Sequence, residues 1–231
     1  MRRVAALVVA AGRGRRFGAL KQFAPLGGKP VLAWSLEALE SNRRVAEIIL
    51  VLPEKKMGRP FTAAFKKITS VVKGGEKRQD SVAAGFRRID PRTAGLVLVH
   101  DGARPLISRA LVRRIIEKTE SRGAAVPVIP VDDTLKEAAG GKIIRTLERA
   151  NLIRVQTPQG FTYDLLSKAL ARAKRDRFYG TDEAALVERL GGDVFTVPGD
   201  PKNIKITTPH DLKTAEAFLA ARQKILRRGP R

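Results

Sequence analysis

The sequence predicts an α/β domain: a mostly parallel, twisted sheet with helices on both faces. Three observations carry this. Short continuous apolar runs such as "VAALVV" and "LVLVH" read as strands buried on both sides. Segments with apolar residues at helical spacing alternate with them. The chain has 231 residues, 43% of them hydrophobic, enough for one large domain with a sizeable core.

The elements follow in order. Ala5–Val9 is a first strand. Met-Arg-Arg ahead of it looks superficially like the start of a signal peptide. The apolar part is short, however, and stops at Gly-Arg-Gly-Arg-Arg rather than at a small-residue cleavage site. "PVLAWSLEALE" is a helix that Pro30 starts, with Leu32, Leu36 and Leu39 on one face. "EIILVLP" is a buried strand stopped by Pro53, and "SVVKGG" a short strand running into a Gly-Gly turn. "EKRQDSVAAGFRRI" is helical, with Val82, Phe86 and Ile89 inward, and "GLVLVHDGARP" is a buried strand with a polar end. Ser108 caps a helix that buries Leu111, Ile115 and Ile116. "AAVPVIPV" is a strand whose prolines suggest an edge or an irregular course. "GTDEAALVERLGG" is a short helix, "DVFTVPG" and "NIKIT" are late strands, and "TPHDLKTAEAFLAARQKIL" is a last helix capped by Thr208. One segment leaves the wound sheet: Gly140-Gly141 between two alternating arms reads as a hairpin. Such a hairpin, at about 134–156, is often an arm that pairs with a second subunit.

Composition narrows the function. With no cysteine, disulfides, zinc–thiolate sites and thiol catalysis are excluded, and with His100 and His210 alone a His-rich metal site is too. No apolar run approaches the roughly 20 residues that span a bilayer. A reducing cytoplasm and no membrane association are the expectation. The net charge of +22 favours polyanions, including nucleic acid and phosphorylated substrates. Yet the basic residues are spread along the chain, densest in the tail "RQKILRRGPR", and aromatics are not interleaved with them. Phosphate chemistry ranks above specific nucleic-acid binding.

Ligands on parallel sheets bind at the carboxyl ends of strands. This selects Gly12–Lys21, Gly74–Ser81 and Asp101–Arg104. Gly12, Gly14 and Gly18 are spaced one residue too long for a dinucleotide fingerprint, and no P-loop Gly-Lys-Ser/Thr follows. Gly12 and Gly14 instead leave backbone N–H groups open to an anion, and Arg13, Arg15, Arg16 and Lys21 add charge, which suits a triphosphate. A basic surface turn is the alternative. At Gly74-Gly75 the chain allows a flat base to approach, with Arg78 just beyond and Ser81 able to bond the base edge; the alternative is a turn before a capped helix. Asp101, followed by Gly102 and Arg104, is a metal or hydroxyl ligand, or the partner of Arg104. His100 reads as a buried strand residue. Lys205, in an apolar segment, points at a bound anion in the cleft.

Together "AAGRGRR" with "KQF", "GGEKRQDSV", "LVHDGARP", "VDDTLK", "LERANL", "QTPQGF", "GTDEAALVE" and "NIKITTPHDL" resemble the 2-C-methyl-D-erythritol 4-phosphate cytidylyltransferase family of the non-mevalonate isoprenoid pathway. They occur in family order over nearly the whole chain. The resemblance implies a Rossmann-like nucleotidyltransferase fold over 1–231. It implies that CTP and 2-C-methyl-D-erythritol 4-phosphate give 4-diphosphocytidyl-2-C-methyl-D-erythritol and pyrophosphate, with Mg²⁺ on the CTP phosphates. Arg16, Lys21 and Lys205 would be catalytic. Ala10, Ala11, Gly12, Gly14, Gly75, Arg78, Ser81, Asp101 and Gly102 would meet the nucleotide, Gly75 and Ser81 at the cytosine. Asp101, Arg104, Thr134, Arg149, Thr157, Thr181 and Lys205 would meet the sugar phosphate, and Asp101 is the candidate metal ligand. Arg149 would act in trans from the arm of a homodimer partner. Departures from the family pattern are Val9 and Leu20 where Pro is common, Gly102 for Ala, and Asp132 at a position often basic or polar. A related cytidylyltransferase for another polyol phosphate, such as ribitol 5-phosphate, is the nearest alternative, and a basic nucleic-acid-binding protein on this fold a remote one.

Overall fold

The structure, a computed structural model, describes residues 3–228, with side chains as far as residue 221. The side chains of the basic tail at 222–231 lie outside the described residues.

Eight strands form the main sheet. Ile68–Lys73, Val45–Leu52, Val4–Val9 and Leu96–Asp101 lie side by side and parallel, so their carboxyl ends share one edge. Gln159–Thr162 runs antiparallel between Leu96–Asp101 and Ala124–Pro130. Phe195–Pro198 pairs in parallel with Ala124–Pro130, and Ile153–Val155 in antiparallel.

Alternation along the strands splits the core, because successive side chains point to opposite faces. Val4, Ala6 and Val8 pack under the helices Val31–Glu40 and Arg109–Arg122. Ala5 and Leu7 pack on the other face, under Arg78–Phe86, Tyr163–Arg175 and Glu183–Arg189. The last helix, Pro209–Arg228, lays Ala215 and Leu219 over Leu26, Val31 and Ile206. Helix starts follow local chemistry. Ser108 Oγ accepts the Leu111 N–H at 3.1 Å, and Asp211 Oδ2 accepts the N–H groups of Thr207 and Thr208 at 2.8 and 2.7 Å.

Four sequence expectations are corrected. Ala124–Pro130 is an interior strand: Ala125 pairs with both Gly160 and Phe195. Pro127 lacks an N–H but still takes part in the sheet through its carbonyl, which accepts the Gln156 N–H at 2.8 Å. The "NIKIT" segment forms no strand; it lies beside residues 103–104, where the Ile206 N–H donates to the Ala103 carbonyl at 2.8 Å and the Asn203 carbonyl accepts from Arg104 Nη1 at 2.8 Å. The paired part of the arm is shorter than 134–156. Lys136–Ala139 and Lys142–Thr146 pair with each other about Gly140 and Gly141, both at positive φ, whereas Ile153–Val155 rejoins the main sheet. Lastly, the helix Tyr163–Arg175 and the strand Gln159–Thr162 occur where no element is expected.

Candidate active site

The first strand delivers the chain to the sheet's carboxyl edge, where residues 10–21 loop outward. Gly14 holds φ +64°, and a Cβ there would stand 1.8 Å from the Ala19 carbonyl oxygen, so the turn requires glycine. Lys21 opens a single 3-10 turn, Lys21–Phe23, and its ammonium enters a cleft of about 190 Å³. Burial is the main influence lowering the Lys21 pKa, with Lys205 next; Asp101 works the other way. Ala10, Ala11 and Gly12 line the same cleft.

Gly75, Arg78 and Ser81 form its far wall. The Ser81 hydroxyl accepts the Gly75 N–H at 3.1 Å and donates to the Lys77 carbonyl at 3.2 Å. Gly74 lets this turn close on the opposite loop: a Cβ there would stand 2.2 Å from that of Ala11. The two glycine loops are thus in contact, with one open lone pair left on Ser81.

Asp101, ending its strand, is the hub. Lys205 Nζ stands 2.8 Å from Oδ2, Arg78 Nε donates to Oδ1 at 3.1 Å, and Arg104 Nε lies 3.9 Å from Oδ2. Burial opposes ionisation of Asp101, but Arg78, Lys205 and Arg104 overcome it and hold the carboxyl far below the usual range. Behind it, Arg78 Nη1 donates to both oxygens of Glu183, at 2.7 and 2.9 Å. Burial raises the Glu183 carboxyl above its ordinary value although Arg78 pulls against this. Two nitrogens of these guanidinium groups, Arg78 Nη2 and Arg104 Nε, are buried without a hydrogen-bond partner.

A second hollow of about 170 Å³ opens beside Asp101, lined by Arg104, Thr157, Thr181 and Lys205 among others. Thr157 contributes surface more than its hydroxyl, which accepts the Asp101 N–H at 3.1 Å and lies 3.0 Å from His100 Nδ1. The Arg104 carbonyl, 3.3 Å from His100 Nε2, can only accept. Nε2 therefore carries the proton and Nδ1 accepts from Thr157. His100 is fully buried, and burial first of all pushes its pKa down to about 4. It is a neutral structural group, as its place in the strand suggests.

Eleven of the sequence-selected residues thus meet in the two hollows at Asp101: Ala10, Ala11, Gly12, Lys21, Gly75, Arg78, Ser81, Arg104, Thr157, Thr181 and Lys205. Gly14 shapes the loop. Arg16 is exposed on it, close enough for its charge to lower the Lys21 pKa. Gly102 is a correction: its N–H is taken by the Val9 carbonyl at 2.9 Å, and it packs against Ala10 and Leu32 rather than facing the cleft. Thr134 and Arg149 do not reach either hollow; both are exposed on the arm, Arg149 donating from Nη1 to the Asp132 carbonyl. The carboxylate of Asp132 meets Arg154 Nη2 at 3.3 Å, a largely exposed contact at the arm's root. Sequence reasoning missed Glu183, Gln22 and Asn203. Asn203 is fully buried, donates to the Thr157 carbonyl at 2.8 Å, and its own carbonyl accepts from Arg104 Nη1 at 2.8 Å. All three stand inside quoted motifs, beside residues that drew attention first. Their burial, invisible in sequence, is what identifies them.

The result is a nest of cations around one carboxylate, next to unencumbered backbone, at the edge of a parallel sheet. It suits a polyanion whose charge changes during reaction. Among the described residues no cluster of three or more His, Asp or Glu forms a protein-only metal cage, and no helix is long and apolar enough to cross a membrane.

Comparison with known proteins agrees with this chemistry. The family model described as 2-C-methyl-D-erythritol 4-phosphate cytidylyltransferase matches residues 4–221. A protein of that name from Pelotomaculum thermopropionicum is 43% identical over 231 residues, covering 96% of this chain and 97% of its own. The crystal structure of the enzyme of that name from Thermus thermophilus is 40% identical with TM-score 0.78, covering 94% of this chain and 98% of that one. The corresponding structure from Francisella tularensis is 30% identical with TM-score 0.82, covering 93% and 99%.

Proposed function

The chain belongs to the 2-C-methyl-D-erythritol 4-phosphate cytidylyltransferase family, and from that premise we propose how its two hollows carry out the family's reaction. CTP and 2-C-methyl-D-erythritol 4-phosphate are converted to 4-diphosphocytidyl-2-C-methyl-D-erythritol and pyrophosphate. CTP occupies the 190 Å³ cleft, its base against Gly75 and Ser81 and its phosphates over residues 10–21. The sugar phosphate occupies the hollow of Arg104, Thr157, Thr181 and Lys205.

The sugar-phosphate oxygen attacks the α-phosphorus of CTP and pyrophosphate leaves in line. A phosphate monoester is largely ionised near neutral pH, with a second pKa of about 6, so no general base is required. This agrees with a site whose histidine is buried and hydrogen-bonded on both nitrogens. Catalysis is then positioning and charge stabilisation. Lys21 and Arg16 offset charge gathering on the departing pyrophosphate, and Lys205 bridges the α-phosphate and the incoming phosphate. Asp101 holds Lys205 in place, and Glu183, through Arg78, holds Asp101. The observation that carries the assignment is the convergence of Lys21, Lys205 and Arg78 on Asp101 between the two hollows.

Asp101 is also where Mg²⁺ would be held: each carboxylate oxygen already meets a cation, Lys205 or Arg78, but keeps acceptor capacity for an ion that takes one or two carboxylates together with substrate phosphates and water. When bound there, the ion would neutralise phosphate charge and orient the triphosphate. The arm would supply Arg149, with Thr134, to the sugar-phosphate hollow of a second copy in a homodimer. What supports this is that both residues lie outside their own hollow while Ile143 and Ile144 are 60% and 58% exposed on the same arm. The cytoplasm is the expected compartment for a cysteine-free enzyme of phosphorylated metabolites. The direct test is pyrophosphate release with each of four nucleoside triphosphates against a panel of polyol phosphates. Turnover is expected with CTP and 2-C-methyl-D-erythritol 4-phosphate; preference for ribitol 5-phosphate would overturn the substrate assignment.

A further inference from the structure

We propose that Gln22 is a positioning residue for the nucleotide: its side chain fixes the backbone at 10–13 so that N–H groups, not carbonyls, face the CTP phosphates. This rests on the reading of the 190 Å³ cleft as the CTP site.

Gln22 is among the residues lining the cleft but is only 2% exposed, and a buried amide is costly unless its polar atoms are matched. Its Nε2 serves one loop only, donating to the Ala10 carbonyl at 2.8 Å and to the Gly12 carbonyl at 3.2 Å. A trans peptide carries its C=O and N–H on opposite sides. Drawing these two carbonyls toward Gln22 therefore turns the N–H groups of Ala11 and Arg13 away from it. Among the described residues no protein acceptor takes the N–H of Ala11, Gly12 or Arg13, whereas the N–H of Ala10 is held by the Val51 carbonyl at 2.8 Å. The side chains at 11 and 12 are a methyl group and a hydrogen, so little covers these donors. With the carbonyls turned outward instead, the same loop would present partial negative charge to a triphosphate.

The position in the chain adds to the argument. Gln22 sits between Lys21 and Phe23 in one short turn, with the Phe23 ring 6.1 Å from that of Phe61. One rigid turn thus sets both the Lys21 ammonium and the backbone donors, so that the two stay in register. A residue acting only as filling would be replaceable by any side chain of equal volume. Gln22, on this account, is needed for its two N–H bonds.

The experiment is steady-state pyrophosphate release by the full-length enzyme and two variants, with KM measured for each substrate. Gln22→Met keeps the volume and removes the donors. Its KM for CTP is expected to rise about tenfold or more, the loss of hydrogen bonds that organise a charged ligand, with the sugar-phosphate KM changed less than about twofold. Gln22→Glu tests the same point by pH, because a protonated carboxyl can donate to one carbonyl and a carboxylate to none. Its CTP KM relative to wild type should climb as pH rises through the carboxyl's titration. A CTP KM in Q22M within about twofold of wild type, or equal rises for both substrates, overturns the proposal. Should Q22M fail to fold, a pH-independent KM ratio for Q22E does the same. A wild-type enzyme that releases no pyrophosphate from CTP overturns the reading of the cleft, and the proposal with it.

Discussion

The cleft and the arm are built in opposite ways. In the cleft, Asp101 touches Lys205 and Arg78, Glu183 lies behind them with its side chain 1% exposed, and His100, Thr157 and Asn203 lock the strand end from below. In the arm, two short strands pair only with each other, and Thr134, Arg149, Ile143 and Ile144 all face solvent. A two-stranded hairpin is marginal by itself in water. The difference teaches which region stands alone. The cleft is preorganised inside one chain by buried ion pairs, whereas on the reading proposed above the sugar-phosphate hollow is completed by residues from a partner's arm.

The sharpest way to break this contrast is in the cleft. Lys21→Ala or Lys205→Ala is expected to lower kcat about 10²- to 10³-fold, the loss usual for one preorganised charge-stabilising donor, with modest loss of melting temperature. Near wild-type turnover in either variant would show that the cluster is merely structural.

On the arm, Arg149→Ala should raise the KM for the sugar phosphate about tenfold, consistent with one charged contact, and leave that for CTP nearly unchanged. At sugar-phosphate concentrations below its KM, mixing Arg149→Ala with Lys205→Ala protein should then give more activity than the sum of the two kept apart. Each mixed dimer would hold one site with both residues intact. No recovery after subunit exchange would place Arg149 in its own chain's hollow and erase the contrast between the two regions.

The smallest effect lies beneath the cleft. His100 has its folded-state pKa pushed down to about 4, against 6.5 ordinarily. Between these values the unfolded chain binds more protons than the folded one. Stability is therefore fully present above about pH 6.5 and falls as pH drops toward 4. A thermal-unfolding series over that window should show a shallower decline in His100→Gln than in wild type. Asp101, depressed in the same sense, stays charged throughout that window and loses its contribution only at still lower pH. An identical decline in both proteins would mean that His100 is not the titrating group.

Much of this was legible without the fold. The parallel strands announced themselves as apolar runs, and the helices at Val31, Arg109 and Pro209 by period and by capping residues. Lys205 was legible as a lone cation in an apolar segment, though not because it lies in a strand, for it does not. The helix Tyr163–Arg175 had a signal in Leu166, Ala169 and Ala173, a small-residue stripe easily lost among charged neighbours. Gln159–Thr162 had almost none, being four residues that owe their pairing to strands on both sides. Arg78 looked like a nucleotide contact, whereas its guanidinium is largely engaged by Glu183 and Asp101, residues far away in sequence.

By itself, then, the sequence determined the class of fold, the family, and the residue types at each strand end. Periodicity, glycine spacing and motif order are local properties that a chain carries whether or not it is folded. Only the tertiary structure decided which of those residues share a charge, which are consumed in holding others, and which lie out of reach. Gly102 turned inward, Gln22 and Glu183 became supports, and Thr134 and Arg149 were set apart on the arm. Burial and the distance between charges fix such roles, and both exist only once the strands are side by side.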